Sequence, residues 1–175
     1  VSAPETAAAD PERRERALAA TVRALAGRTD LEVAFRADPR LPRAEPAART
    51  IRLPPLRADP DPGELARVRG EADGAALRER LHDPAVHRRL VPSSELAALL
   101  FDRLEQVRVE AVGSEHLQGV RRNLAAAHSA RLGAPSGEAR VDTTMADIVD
   151  LYARERLLGC APGEAQRALM ARWRD

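Results

Sequence analysis

The side chains best suited to chemistry in this 175-residue chain are four histidines, one cysteine and a dense set of carboxylates and guanidiniums. His82 and His87 lie five residues apart, with Asp83 and Pro84 between them. That spacing does not put both imidazoles on one face of a regular helix, and a proline between them breaks the helix. A loop there could still gather His82, Asp83 and His87 into a polar cluster able to hold a divalent cation or handle a proton. The plainer role of His82–Asp83 is hydrogen bonding at a helix end. His116 and His128 fall in one helical stretch at unrelated phases and are expected in solvent. Cys160 follows Gly159 near a helix end with no histidine or cation adjoining it in sequence, so it reads as a structural thiol. Every basic residue is Arg, so no Gly-x-x-x-x-Gly-Lys-Ser/Thr loop exists and ATP hydrolysis within the chain is not expected. No nucleophile elbow is visible.

The composition narrows the function classes further. Basic and acidic residues number 28 and 27, a net charge of +1. The longest basic clusters are pairs such as Arg13–Arg14, Arg88–Arg89 and Arg121–Arg122, whereas a nucleic-acid binder concentrates one sign on a face. With two Phe, one Tyr and one Trp, stacking platforms for bases are not expected either. No run approaches the length of a membrane-spanning segment. The N-terminus is rich in Ala, Glu and Arg with no apolar core, so no secretory leader is expected. A single cysteine rules out an internal disulfide framework and a Cys-rich zinc site, and suits a reducing compartment. The expectation is a cytoplasmic protein that binds neither membrane nor nucleic acid. The length fits one domain.

These residues need elements to position them. Residues 1–9 read as disordered, and Asp10-Pro11-Glu12 as a helix start. Leu18, Val22 and Leu25 follow at helical spacing, with Gly27 as the stop. Leu31 to Phe35 alternates with period two and predicts a strand. A connection with Pro39, Pro42 and Pro46 leads to a second strand, Thr50 to Leu53, and the two are expected to pair as a hairpin with a long loop. From about residue 61 onward the pattern is helical. Pro62-Gly63-Glu64 opens a helix to about Leu81, with Leu65, Val68, Ala72, Ala75 and Ala76 on one face. Gly70 and Gly74 inside it weaken a helix by about 1 kcal/mol each relative to Ala, so something must pack closely there. Arg69 and Asp73 are spaced to pair along that helix. Asp83-Pro84 starts a short helix to Leu90. Pro92-Ser93-Ser94-Glu95 caps another through Val112, with Leu96, Leu99, Leu100, Leu104, Val107 and Ala111 as its main apolar face. Glu110 on that helix reads as an exposed charge. Gly113-Ser114 begins the next, residues 133–137 form a loop, Thr143-Thr144 caps a helix through Leu158, and Pro162-Gly163-Glu164 opens a last one ending near Trp173. No internal repeat is present.

Two blocks carry a resemblance. One reads VRGEADGAALRERLHDPAVHRRLVP from Val68 to Pro92; the other reads FDRLEQVRVEAVG from Phe101 to Gly113. Together with the LEVAF and TIRLP strands and GVRRNL from Gly119 to Leu124, they resemble the N-terminal domain of the T subunit of the aerobic, ATP-dependent cobaltochelatase, over roughly Asp10 to Leu132. On this basis residues 10–132 are the family domain and 133–175 a loop and helical extension of it. The resemblance implies a subunit in aerobic cobalamin biosynthesis, where cobalt is inserted into a corrin ring. It implies two partners, a AAA+ ATPase subunit and a large subunit that holds the corrinoid. Cobalt and ATP would be handled by that wider complex, with no cofactor bound by this domain. The acidic linker and von Willebrand A domain that usually follow in the family are not in this sequence.

The same blocks resemble, more distantly, small gluzincin-type metallopeptidases, whose helix carries His-Glu-x-x-His and whose later helix carries a further carboxylate ligand. Aligned so, the first His position holds Gly74, the Glu position Ala75 and the second His position Arg78; Glu105 stands at the third ligand. A guanidinium cannot ligate zinc. The resemblance therefore implies a degenerate, pseudo-metallopeptidase site at Gly74, Ala75, Arg78 and Glu105, in which Glu105 would face Arg78 as an ion pair replacing the metal. The fold expected is α+β and predominantly helical, one β-hairpin packed on a zincin-like helical core. The function expected is a non-catalytic cobaltochelatase subunit domain. Two alternatives stand beside it: a metal-dependent hydrolase built around His82, His87 and Glu105, and a helical adaptor for a MoxR-type AAA+ ATPase outside cobalamin synthesis.

Overall fold

The computed structural model describes residues 11–35, 50–133 and 145–171. The readings placed on residues 1–10, the prolines between the strands, the 134–137 loop, Thr143-Thr144 and Trp173 lie outside the described residues. Helix α1, Pro11–Ala26, buries Leu18, Ala19, Val22 and Ala26. It stops at Gly27, whose φ of 67° is open to glycine at little cost. There the Arg28 amide donates to the Arg23 carbonyl at 3.0 Å and the Gly27 amide to Ala24 at 3.2 Å, which satisfies the last carbonyls of the helix.

Strands β1, Glu32–Phe35, and β2, Thr50–Leu53, pair in parallel, Val33 beside Ile51 and Phe35 beside Leu53. The expected hairpin is corrected here. A hairpin needs antiparallel strands; a parallel pair needs a connection of about a dozen residues or more, and fourteen separate Phe35 from Thr50. The register still puts apolar side chains of both strands on one face: Ile51 and Leu53 are buried, with Val33 and Phe35 packed on the same core.

Helix α2, Pro62–Leu81, is the centre of the fold. Pro62 takes its first position and Asp61 caps it, Oδ1 accepting from the Glu64 amide at 2.8 Å. Val68, Ala72 and Ala76 are fully buried against α1 and the strands. Helix α5, Gln118–Gly133, crosses the glycine face. A Cβ on Gly70 would sit 2.0 Å from the Asn123 carbonyl oxygen and 2.7 Å from the Ala127 methyl, so the close packing expected at this glycine is a helix–helix contact at backbone distance. Asp73, buried beside it, accepts from Asn123 Nδ2 at 2.8 Å; the Arg69 charge acts on Asp73 only through space.

Helix α3, Pro84–Leu90, is capped by Asp83 and buries no residue. Helix α4, Glu95–Gly113, buries Val107, Val109 and Glu110 in its C-terminal half. Its expected leucine face is only partly a core face: Leu96, Leu99 and Leu104 are exposed, because the helix packs on α2 and on α6, Met145–Leu158, chiefly beyond them. Helix α6 ends at Gly159, φ 66°. Helix α7, Glu164–Ala171, brings Met170 onto Ile148 and Leu151.

Replacing Gly70 by Ala forces α2 and α5 apart. It is expected to cost roughly 3 kcal/mol or to prevent folding. Gly119→Ala, with nothing within 4 Å of the new Cβ, is expected to be neutral or to stabilise by up to about 1 kcal/mol. Urea unfolding of the two variants checks the contrast.

Candidate functional site

Gly74 opens a gap on the inner face of α2, and α4 fills it with polar groups. The nearest is Glu110, whose Oε1 lies 3.3 Å from where a Gly74 Cβ would stand. Glu110 is buried and its other oxygen, Oε2, accepts from Arg154 of α6, which is also buried. Two such charges tolerate burial only with close partners. Arg154 finds a second in Asp150, one turn back on α6, whose Oδ2 accepts from Nε at 3.0 Å. Arg131 of α5 donates to the same Oδ2 at 2.9 Å.

The chain of polar contacts continues in the other direction. Gln106, one turn before Glu110, donates from Nε2 to Glu110 Oε1 at 2.7 Å and more weakly to the Gly74 carbonyl at 3.4 Å. Arg78 donates to Gln106 Oε1 at 3.2 Å and to Asp102 Oδ1 at 2.7 Å. The result is one line of alternating acceptors and donors, Asp102–Arg78–Gln106–Glu110–Arg154–Asp150–Arg131, stitched across α2, α4, α5 and α6. A groove of about 630 Å³ runs beside it, lined in part by Gly74, Ala75, Gln106, Glu110, Arg131 and Arg154.

Arg78 and Glu105 do not face each other as expected. Glu105 is turned one step round α4. Its Oε1 meets His82 Nδ1 at 2.9 Å, and Arg108 donates to both of its oxygens, at 2.6 and 2.8 Å. The Arg108 guanidinium, helped by His82, holds the Glu105 carboxyl down at about 2. Such a carboxylate stays ionised and makes a poor proton acceptor. The carboxylate that answers the glycine-bearing face is Glu110, so the exposed position expected for Glu110 is corrected. The Glu-x-x-x-x-Glu spacing of α4 does not show which carboxylate turns inward; the arrival of Arg154 from α6 makes the inward position of Glu110 tolerable.

His82 and His87 do come together, ring centroids 4.8 Å apart and edge to face, with Phe101 4.9 Å beyond His87. Asp83 does not join them. Its Oδ1 is engaged in capping α3, accepting from the Ala85 and Val86 amides at 2.8 and 3.0 Å, and this pulls its pKa below the usual carboxylate value. Among the described residues no three His, Cys, Asp or Glu groups are placed to hold a metal ion. His116 is exposed, as expected. Cys160 is half-buried, and burial pushes its thiol pKa up.

His128, expected in solvent, is buried against the inner cluster. Arg131 lies 3.2 Å from its Nδ1 and Asp150 Oδ2 lies 3.5 Å from the same atom. Burial lowers its pKa to about 4; Arg154, Arg131 and Arg103 push the same way and Asp150 opposes them. The ring is therefore neutral near pH 7. With Arg131 donating to Nδ1, its proton sits on Nε2, which like Asp150 Oδ1 is buried without a hydrogen-bond partner among the described residues. Sequence gave only faint signals of this cluster: the i,i+4 pairs Gln106–Glu110 and Asp150–Arg154, and the i,i+3 pair His128–Arg131.

A protein-family model described as cobalamin biosynthesis protein CobT matches residues 8–175, which takes in every described element, α6 and α7 included. No solved structure matches the chain.

Two outcomes follow from the cluster. Glu110→Gln leaves the buried Arg154 with Asp150 as its one carboxylate partner among the described residues and is expected to lower stability by about 1–3 kcal/mol. The double variant Glu110→Leu/Arg154→Met should lose less than the sum of the single changes, measured by chemical unfolding. His128 has a folded pKa of about 4 against an ordinary 6.5, so the unfolded chain binds the extra proton. Stability should fall as pH drops from about 6.5 towards 4, and His128→Gln should flatten that limb of the stability–pH curve.

Proposed function

The chain belongs to the CobT family of cobalamin biosynthesis proteins, and from that premise we propose that it is a non-catalytic domain of a cobaltochelatase subunit. Its role is assembly in the cytoplasm. It docks with a AAA+ ATPase subunit and with the large subunit that holds the corrinoid, while cobalt, the substrate ion, and ATP are handled by those partners.

The observation that carries this reading is the engagement of the polar groups that face one another between the glycine-bearing helix and α4. Glu110 is held by Arg154 and Gln106, and Arg78 by Asp102 and Gln106. Where a metallopeptidase needs a free base beside two imidazoles, this chain has Ala75 between Gly74 and Arg78. A carboxylate already accepting from a guanidinium is a weak base, and a guanidinium is no ligand. We infer that Gly74, Ala75 and Arg78 form a pseudo-metallopeptidase framework whose helices are tied by charged hydrogen bonds.

A second reading, a metal-dependent hydrolase, draws on one observation: the close approach of His82 and His87 beside Glu105. Arg108 counts against it, since a bound cation would have to displace that guanidinium from Glu105.

The test is capture of each chelatase subunit by the immobilised chain, with and without ATP. Retention of the ATPase subunit, strengthened or weakened by nucleotide, is the expected result; retention of neither subunit contradicts the assembly role. Elemental analysis of the purified protein separates the second reading, because stoichiometric zinc removed only by chelators would favour the hydrolase.

A further inference from the structure

We propose that a second pocket, walled by α1, α2 and α5, binds a small neutral molecule by a primary carboxamide, whose N–H group donates to Asp73 and whose oxygen accepts from Arg69. The pocket has a volume of about 400 Å³ and shares no lining residue with the groove beside Glu110. Its size is that of a small-molecule site, where apolar walls surround a few placed polar groups. Leu18, Leu56 and Leu65 supply the apolar wall. Arg14 of α1 braces one side, donating from Nη1 to the Ala58 carbonyl at 2.8 Å.

The polar end of the pocket is built from Asp73, Asn123 and Arg69. Asp73 is 3% exposed, and its Oδ2 accepts from Asn123 Nδ2 at 2.8 Å. No other group among the described residues donates to this carboxylate, whose two oxygens can accept about four hydrogen bonds. Burial raises its pKa, and the Asn123 hydrogen bond and the Arg69 charge offset this only in part. What the carboxylate lacks is a further N–H donor. Arg69, one helical turn earlier on the same face, is exposed and makes no hydrogen bond or ion pair among the described residues.

These groups select the ligand by elimination. An ammonium finds an acceptor in Asp73 but meets the charges of Arg14 and Arg69. A carboxylate suits both guanidiniums but sets like charge against Asp73. A primary carboxamide carries no net charge and presents a donor beside an acceptor, so it satisfies Asp73 and Arg69 together. The apolar stem of the molecule then lies against the leucines. Nothing in this assignment depends on assembly with the chelatase subunits.

Nitrogen-15 NMR titration of the full chain with millimolar pentanamide, pentanoate and pentylamine tests it. Pentanamide is expected to shift the Asn123 side-chain amide and the Arg69 Nε–H saturably, and to bind about tenfold or more tightly than either charged analogue. Arg69→Met, a change at the surface, should weaken pentanamide about tenfold. Asp73→Asn should reverse the selectivity. The new side chain must turn its oxygen to Asn123, which leaves an NH2 donor towards the pocket, so pentanoate should now bind more tightly than pentanamide. The spectrum of each variant checks that it folds, and Arg69→Met decides the matter if Asp73→Asn does not. Shifts that fail to saturate overturn the proposal. So do equal binding of a charged analogue by the wild type, pentanamide binding indifferent to Arg69→Met, or unchanged selectivity in folded Asp73→Asn.

Discussion

A buried carboxylate and a buried guanidinium, Glu110 on α4 and Arg154 on α6, set the terms for the rest of this molecule. Their side chains are only 6% and 7% exposed, and neither charge could remain there alone. Everything around them serves that pair. Gly74 leaves room for the carboxylate, Gln106 takes its second oxygen, and Asp150 and Arg131 carry the charge balance outward to the α5 surface. Because the partners come from four helices, α6 cannot leave α4 without uncovering a charge. The ionic contact thereby fixes which face of α6 is presented to the core.

Local chemistry in the chain predicted local structure well. Pro62 after Asp61, Gly27 after Ala26 and Gly159 after Leu158 mark helix ends through capping and backbone sterics that act within a few residues. The demand for a close neighbour at Gly70 was also legible, because an interior helical glycine needs a reason. Strand pairing was not. Val33, Phe35, Ile51 and Leu53 share a face in either direction of pairing, so alternation alone leaves the sense of the second strand open. The leucine face of α4 failed for a related reason. Periodicity reports which side of a helix is apolar, while burial depends on whether another element reaches that far.

The candidate site divides along the same line. Gly74, Ala75 and Arg78 could be set apart from the two sequence blocks, and they do lie along the groove or its polar chain. Reading Glu105 as the carboxylate that faces Arg78 and Glu110 as an exposed charge fails, since both sit on α4 with basic residues nearby and nothing local separates them. The choice is made by Arg154, more than forty residues later on a helix outside the blocks. His128 was misplaced for the same cause: its phase on α5 gave no clue that α6 would cover it. Long-range ion pairs of this sort are invisible until the helices that carry them are docked.

Membership in the CobT family and a chain of interlocked charged and amide side chains describe the same molecule at two levels. The first says which pathway the chain serves; the second explains why we assign it a docking role there. The central claim is that Arg154 is locked between Glu110 and Asp150 in the folded protein. Nitrogen-15 NMR of the arginine side chains tests it most directly. The account predicts that the Arg154 Nε–H exchanges with solvent far more slowly than that of exposed Arg122 and resists added salt. An Arg154 signal exchanging as fast as Arg122 would contradict it.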